Sequence, residues 1–92
     1  MQNISVSQSF DKRKQNSGIP LIDVRTPAEY GSIHADGAVN HPMESLQVEK
    51  IPFSKEDEIH VICQSGGRSM KMGQKLEAAG FTKIVNLEGG TS

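Results

Sequence analysis

His60-Val61-Ile62-Cys63-Gln64-Ser65-Gly66-Gly67-Arg68-Ser69 decides how the rest of the chain is read. The apolar run Ile59 to Ile62 has the length and β-branched content of a short buried strand. Two glycines follow, and a helix-forming segment begins near Arg68. Cys63, the one cysteine in the sequence, therefore falls at a strand-to-helix switch. Gly66 and Gly67 can adopt backbone conformations that other residues resist, which lets the loop from Gln64 to Ser69 curl and aim several N–H groups at one point. Such a nest favours an anion, and the positive end of the following helix and the forked donors of Arg68 add to the same field. An isolated cysteine titrates at about 8.5, and a helix N-terminus or a neighbouring cation lowers that by one to several units. The expectation is a sulfur that is nucleophilic at neutral pH.

A lone cysteine closing a hydrophobic strand is, in most proteins, a small apolar residue kept for packing. Packing has no need of two glycines, an arginine and a helix start at this spacing, whereas an anionic sulfur uses all of them. The pattern Cys-x-x-Gly-x-Arg-Ser after a strand resembles the active-site loop of the rhodanese family. Upstream, Leu21-Ile22-Asp23-Val24-Arg25-Thr26-Pro27-Ala28-Glu29-Tyr30 is similar to that family's strand-and-turn signature, and His34-Ala35-Asp36-Gly37-Ala38-Val39-Asn40-His41-Pro42 resembles its next strand. Downstream, Gly80-Phe81 and Val85-Asn86-Leu87-Glu88-Gly89-Gly90 resemble its closing strand and glycine pair. Ser32-Ile33-His34-Ala35-Asp36 departs from the Gly-His-Ile-Pro often found there. A second departure is the end, because rhodanese domains usually continue past the glycine pair with a helix, and this sequence stops at Thr91-Ser92.

Composition sets its own bounds. Ninety-two residues suit one domain with one modest core, here expected to span residues 1–92 without the usual closing helix. Ten basic against eleven acidic residues give a formal charge of -1, which offers no general attraction to nucleic acid or to an anionic membrane. No stretch has the length of a membrane span and the N-terminus lacks the features of a secretory signal, so a cytoplasmic location is expected. One cysteine excludes an internal disulfide, and three scattered histidines lack zinc-site spacing, so neither a metal nor another cofactor is expected.

Taken in order, Ile4 to Val6 reads as an edge strand, and Ser7 as the cap of a helix running to Gln15 and ended by Gly18. Lys12, Arg13 and Lys14 read as a solvated face. Ile19 to Val24 is a central strand, followed by Thr26 and Pro27 as N-cap and first position of a short helix through Tyr30. Gly37 to Asn40 reads as a further strand flanked by His34 and His41, which are expected to be hydrogen-bonded structure. Met43, Leu46, Val48 and Ile51 between Pro42 and Pro52 suggest a weak covering helix, and Ser54 to Glu58 a charged connector. Met70, Met72, Gly73, Leu76 and Ala79 mark a helix from Arg68 to Ala79, closed by Gly80, before a last strand from Lys83 to Leu87. Strands alternating with helices imply parallel pairing and a three-layer α/β/α domain with a mainly parallel central sheet. Cys63 then lies at the C-terminal edge of a central strand, where such sheets gather their sites.

The resemblance implies a sulfurtransferase in which Cys63 takes a sulfur atom from a small anionic donor, thiosulfate or a persulfide, and passes it to a thiol, a protein acceptor or cyanide. Arg68 and the loop residues Gln64, Ser65, Gly66, Gly67 and Ser69 are the expected substrate-binding set, with Asp23 and Arg25 supporting the site from the neighbouring strand. Two other readings stay open: a non-catalytic module of the same fold, and a phosphatase or arsenate reductase, which also place a cysteine in an anion-binding loop. Protein phosphatases of the cysteine class hold five residues between cysteine and arginine, whereas four, Gln64 to Gly67, intervene here. The shorter loop is expected to enclose a volume nearer one sulfur atom than a tetrahedral phosphate.

Overall fold

Parallel strands cannot be joined by a tight turn, so each buried run of this chain must be followed by a crossover. The computed structural model, which describes residues 1–64 and 67–89, has this alternation. It comprises β1 (Gln2–Ser5), α1 (Val6–Gln15), β2 (Leu21–Asp23), α2 (Pro27–Ser32), β3 (Ala38–Asn40), β4 (Glu58–Ile62), α3 (Gly67–Ala78) and β5 (Lys83–Glu88). The sheet order is β1-β5-β4-β2-β3, and each of the four neighbouring pairs is parallel. β4 is the central strand.

Successive side chains of a strand point to opposite faces, and β4 divides the core accordingly. Ile59, Val61 and Cys63 join Ile22, Val24 and Ile84 beneath Met72 and Leu76 of α3. Ile62 joins Leu21, Val85 and Leu87 on the other face, against which Val6 of α1 and Tyr30 of α2 pack. Helices thus cover both faces, and the domain has the three layers that the alternation implies.

Local chemistry explains most element boundaries. Thr26 caps α2 as expected, with Pro27 at its first turn: the Glu29 N–H donates to Thr26 Oγ1, and the Thr26 N–H donates back to Glu29 Oε1. Gly80, at φ +105°, closes α3, with its N–H donating to the Glu77 carbonyl and that of Phe81 to the Leu76 carbonyl. These are the paired bonds of a Schellman ending, and Phe81 is buried against Leu76 in the core. Gly73 lets α3 approach β5, since a Cβ there would lie 3.2 Å from the Ile84 side chain and 2.4 Å from Met1 Sδ.

Several boundaries differ from the sequence reading: α2 runs past Tyr30 to Ser32, and β2 spans Leu21–Asp23 rather than Ile19 to Val24. Ser5, not Ser7, caps α1, because Gln8 three residues later completes a reciprocal capping box with it. The strand before it therefore runs from Gln2 to Ser5, and Val6 is helical. α1 ends before Gly18, at Asn16, whose N–H donates to the Lys12 carbonyl. The segment between Pro42 and Pro52 forms only one 3-10 turn, Val48–Lys50. The chain entering it runs alongside the end of β2, where the His41 and Met43 N–H groups donate to the Asp23 and Val24 carbonyls. The apolar residues Met43, Leu46, Val48 and Ile51 still pack on the core, so burial survived where helicity did not.

The basic run of α1 is also less solvated than expected. Lys12 Nζ pairs with Glu58 at 2.9 Å, while Arg13 donates from Nε to Ser9 Oγ and from a terminal nitrogen to the Asp36 carbonyl. Beneath them lies His60, fully buried, with Nδ1 2.6 Å from Ser9 Oγ and Nε2 2.7 Å from Glu58 Oε2. Ser9 accepts from Arg13, so its proton is given to Nδ1, and His60 donates from Nε2 to Glu58. This network docks α1 on the central strand.

Burial holds the His60 pKa below the ordinary imidazole range, against the opposing pull of Glu58. The unfolded chain then takes up the proton more readily than the folded one, so stability is lost as pH falls below about 6.5. Thermal unfolding is expected at lower temperature at about pH 5.5 than at about pH 7.5, with a smaller difference in His60→Gln. Equal differences in the two proteins would remove His60 as the source.

Candidate active site

Cys63 directly follows β4, at the C-terminal edge of the central strand, with the first turn of α3 beginning at Gly67. It is 1% exposed and packs with Val24 and Val61, so the residue expected to be the nucleophile also fills a packing role. Ser69, in the first turn of α3 and fully buried, places its hydroxyl 3.4 Å from Cys63 Sγ. The same hydroxyl bonds Asn86 Oδ1 on β5, and Asn86 Nδ2 in turn donates to Asn3 Oδ1 across the β1–β5 pair at 3.0 Å.

Arg68 lies one residue earlier on α3, half-buried. Its terminal nitrogens fork onto the Glu29 carboxylate at 2.8 and 3.0 Å. Glu29 is already fixed by the cap of α2, so it sets where the guanidinium stands and offsets its charge. The Arg68 bond and then the Thr26 N–H hold the Glu29 carboxyl down at about 2, which keeps it ionised at neutral pH. The Arg68 guanidinium is correspondingly shifted up, first by Glu29, with Cys63 and Glu44 acting in the same direction.

Beside it, Asp23 and Arg25 form a buried pair, 0% and 4% exposed. Arg25 donates from Nε and a terminal nitrogen to the Asp23 carboxylate and from that terminal nitrogen to the Ile33 carbonyl at 2.6 Å. One carboxyl oxygen also accepts the Arg25 N–H, which fixes the turn leaving β2. The support expected of Asp23 and Arg25 thus takes the form of a mutual clamp tied to the end of α2. A shallow depression of about 460 Å³, lined by Arg25, Ala28, Glu29, Ser32, Ile33 and Gln64, adjoins the clamp.

The sequence-derived site set is therefore distributed as follows. Cys63 and Ser69 meet directly, Gln64 is exposed on the depression, and Arg68 stands on Glu29. Gly67 is the first residue of α3, and an added Cβ there would meet nothing within 4 Å. Ser65 and Gly66, expected to donate N–H groups to the anion, lie outside the described residues, as does Gly90 of the closing pair. Among the described residues, no helix is long and apolar enough to cross a membrane.

Sequence reasoning missed Glu29 and Asn86. Glu29 carried a signal, since Thr26-x-x-Glu29 is a capping-box pattern, but not the second role facing Arg68. Asn86 interrupts the run Ile84-Val85-Asn86-Leu87, and an amide in the middle of a buried strand is disfavoured unless it has partners.

The profile of the Rhodanese-like domain family matches residues 6–92, and the chain belongs to that family. It is 39% identical over 88 residues to thiosulfate sulfurtransferase 16, chloroplastic, of Arabidopsis thaliana, covering 83% of this chain and 73% of that protein. It is 30% identical over 91 residues to a sulfurtransferase of Allochromatium vinosum, covering 98% of this chain and 85% of that one. The crystal structure of a rhodanese-like domain protein from Staphylococcus aureus superposes with a TM-score of 0.86 at 30% identity, covering 98% of this chain and 87% of that one. The chain spans only about half the length of some other curated relatives, 45% and 50% in two cases.

Proposed function

We propose that the protein is a sulfurtransferase that carries a sulfane sulfur on Cys63. The observation that carries this reading is the position of Cys63 between the end of β4 and the first turn of α3, with the Ser69 hydroxyl 3.4 Å from its sulfur. In the first step the Cys63 thiolate attacks the outer sulfur of thiosulfate, the sulfur–sulfur bond of the donor breaks, and sulfite leaves with the bonding pair. The product is a Cys63 persulfide anion. In the second step cyanide or an acceptor thiolate attacks the terminal sulfur, and Cys63 leaves as the thiolate. A persulfide or polysulfide donor enters by the same first step, with a thiolate or shortened polysulfide as leaving group. The anion is stabilised by the Ser69 hydroxyl and by the N-terminal end of α3.

Thiocyanate formation from thiosulfate and cyanide tests the reading, run beside hydrolysis of an aryl phosphate and reduction of arsenate on the same preparation. Sulfur transfer with negligible phosphatase and arsenate reductase activity is expected. Phosphate ester hydrolysis dependent on Cys63, without sulfur transfer, would overturn it.

Arg68 acts on an anionic donor as a guanidinium held in place by Glu29. Arg68→Ala is expected to lower kcat/KM for thiosulfate by about tenfold, the loss of one charge-assisted bond of about 1.5 kcal/mol. Arg68→Lys keeps the charge but cannot fork onto the Glu29 carboxylate, so it is expected to recover only part of that loss. Steady-state kinetics of the two variants check this, and a wild-type rate in Arg68→Ala would place the side chain outside the donor site.

A further inference from the structure

The bonds at 2.8 and 3.0 Å commit one N–H of each terminal nitrogen of Arg68 to Glu29. A guanidinium has five N–H groups, so Nε and one N–H on each terminal nitrogen are left to meet a sulfur donor. The hydrogen-bonding power of Arg68 is thus largely kept while its charge is matched by a carboxylate in direct contact. Protonation does not release the pair near neutral pH, because the Arg68 bond first and the Thr26 N–H second hold the Glu29 carboxyl at about 2. Rotation of Glu29 is opposed as well, since its Oε1 also accepts the Thr26 N–H and hydroxyl, both at 3.1 Å. Beside it, both carboxyl oxygens of Asp23 take the charge of Arg25. Each of these two arginines therefore stands on its own carboxylate.

The charge on a donor decides how it fares against such a pair. Thiosulfate is a dianion, and both of its charges feel the repulsion of Glu29 along with the attraction of Arg68. A donor with a single charge needs one charge-assisted bond and meets half the repulsion. An organic donor of that kind replaces one anionic oxygen by carbon. The depression beside Glu29 offers Ala28 and Ile33, the latter 72% exposed, to a carbon substituent, and Gln64, next to Cys63 in sequence, borders it.

We infer that Glu29 is a specificity-determining residue: its carboxylate cancels the charge of Arg68, so that the site disfavours a second negative charge and suits a singly charged organic persulfide or thiosulfonate better than thiosulfate. The inference deepens the proposed function and rests on it for the identity of the donors, but its first test needs no turnover.

Cys63, the one cysteine of the chain, is alkylated with iodoacetate and with iodoacetamide, which differ by one negative charge. The thiol pKa enters both rates equally, so their ratio reports the field met by an incoming anion. Glu29→Gln keeps an oxygen to accept from Thr26 and removes the charge. It should raise the iodoacetate to iodoacetamide ratio about threefold, the effect of deleting one charge about 6 Å away in water-like surroundings. For turnover, kcat/KM is compared between thiosulfate and methanethiosulfonate. Cys63 attacks the outer sulfur of either, the sulfur–sulfur bond breaks, and sulfite or methanesulfinate leaves with the bonding pair. Because the interaction scales with donor charge, Glu29→Gln should raise the rate with thiosulfate about tenfold and that with methanethiosulfonate about threefold. Glu29→Asp keeps the charge on a shorter arm and should leave both ratios at their wild-type values even where the rates fall. In the wild type itself, added salt should change the two donors' kcat/KM nearly in parallel, since a matched pair leaves little field to screen. Ratios unmoved by Glu29→Gln, or moved as far by Glu29→Asp, would overturn the inference, as would a thiosulfate rate that falls in Glu29→Gln as in Arg68→Ala. A wild-type thiosulfate rate that collapses with salt while methanethiosulfonate holds would do the same. If the alkylation ratio responds but neither donor is turned over, the proposed function fails and the charge selection at Cys63 stands.

Discussion

Cys63→Ser is expected to abolish sulfur transfer while leaving a folded domain. Serine is close to cysteine in size, and its hydroxyl can keep a bond to Ser69, so the packing against Val24 and Val61 suffers only modestly. It remains protonated near neutral pH and forms no persulfide, so the covalent intermediate is lost altogether. Circular dichroism and thermal unfolding establish the fold, and thiocyanate production measures the activity. Substantial turnover by the folded variant would remove Cys63 from the mechanism.

The largest effect on stability is expected at the opposite end of the site, from Asp23→Ala. Asp23 is fully buried and supplies both carboxyl oxygens to Arg25, itself nearly inaccessible. Removing the carboxylate leaves a guanidinium in the interior with its charge uncompensated, and breaking such a pair typically costs about 3–5 kcal/mol. That is a large part of the roughly 5–15 kcal/mol available to a domain of ordinary stability. At about 4–8 °C per kcal/mol for a chain of this size, Tm should fall by more than about 12 °C. The turn holding Thr26 and Glu29 also loses its anchor at the Arg25 N–H, so Arg68 loses its fixed partner. The double variant Asp23→Leu with Arg25→Met should be much less destabilised than Asp23→Ala, because no charge is left unpaired. A Tm within about 3 °C of wild type in Asp23→Ala would show that the arginine finds water or another partner.

The architecture was legible because buried parallel strands appear as short apolar runs, and this chain separates them with caps and glycines that act locally. Thr26-Pro27 and Gly80 each determine a helix end through residues within one turn, and both readings agree with the structure. The segment from Pro42 to Pro52 reads as a helix because its apolar spacing records burial alone: Met43, Leu46, Val48 and Ile51 pack on the core although only Val48–Lys50 forms a 3-10 turn. Ser7 was preferred over Ser5 because the sequence does not show where the edge strand stops, and the answer lies in the reciprocal bonds with Gln8.

Legibility at the site follows the same division. Cys63 was placed at the strand end by neighbours in sequence, and its contact with Ser69, six positions on, stays within the loop and the first helical turn. Glu29 and Arg68 are 39 positions apart, Ser69 and Asn86 are 17 apart, and Asn86 and Asn3 are 83 apart. Those meetings are created by the strand order β1-β5-β4-β2-β3, which no local pattern specifies. The basic run of α1 was read as solvated for the same reason, since Glu58 reaches Lys12 only after α1 has crossed β4.

Intact-protein mass spectrometry after incubation with thiosulfate tests the central claim most directly. The wild type is predicted to gain one sulfur atom, located on Cys63 by peptide mapping, and to lose it on addition of cyanide with release of thiocyanate. The Cys63→Ser protein should gain nothing. A folded wild type that takes up no sulfur from thiosulfate, a persulfide or a polysulfide, or that carries the sulfur without releasing it to cyanide or any thiol, would contradict the account and favour a non-catalytic member of the same family.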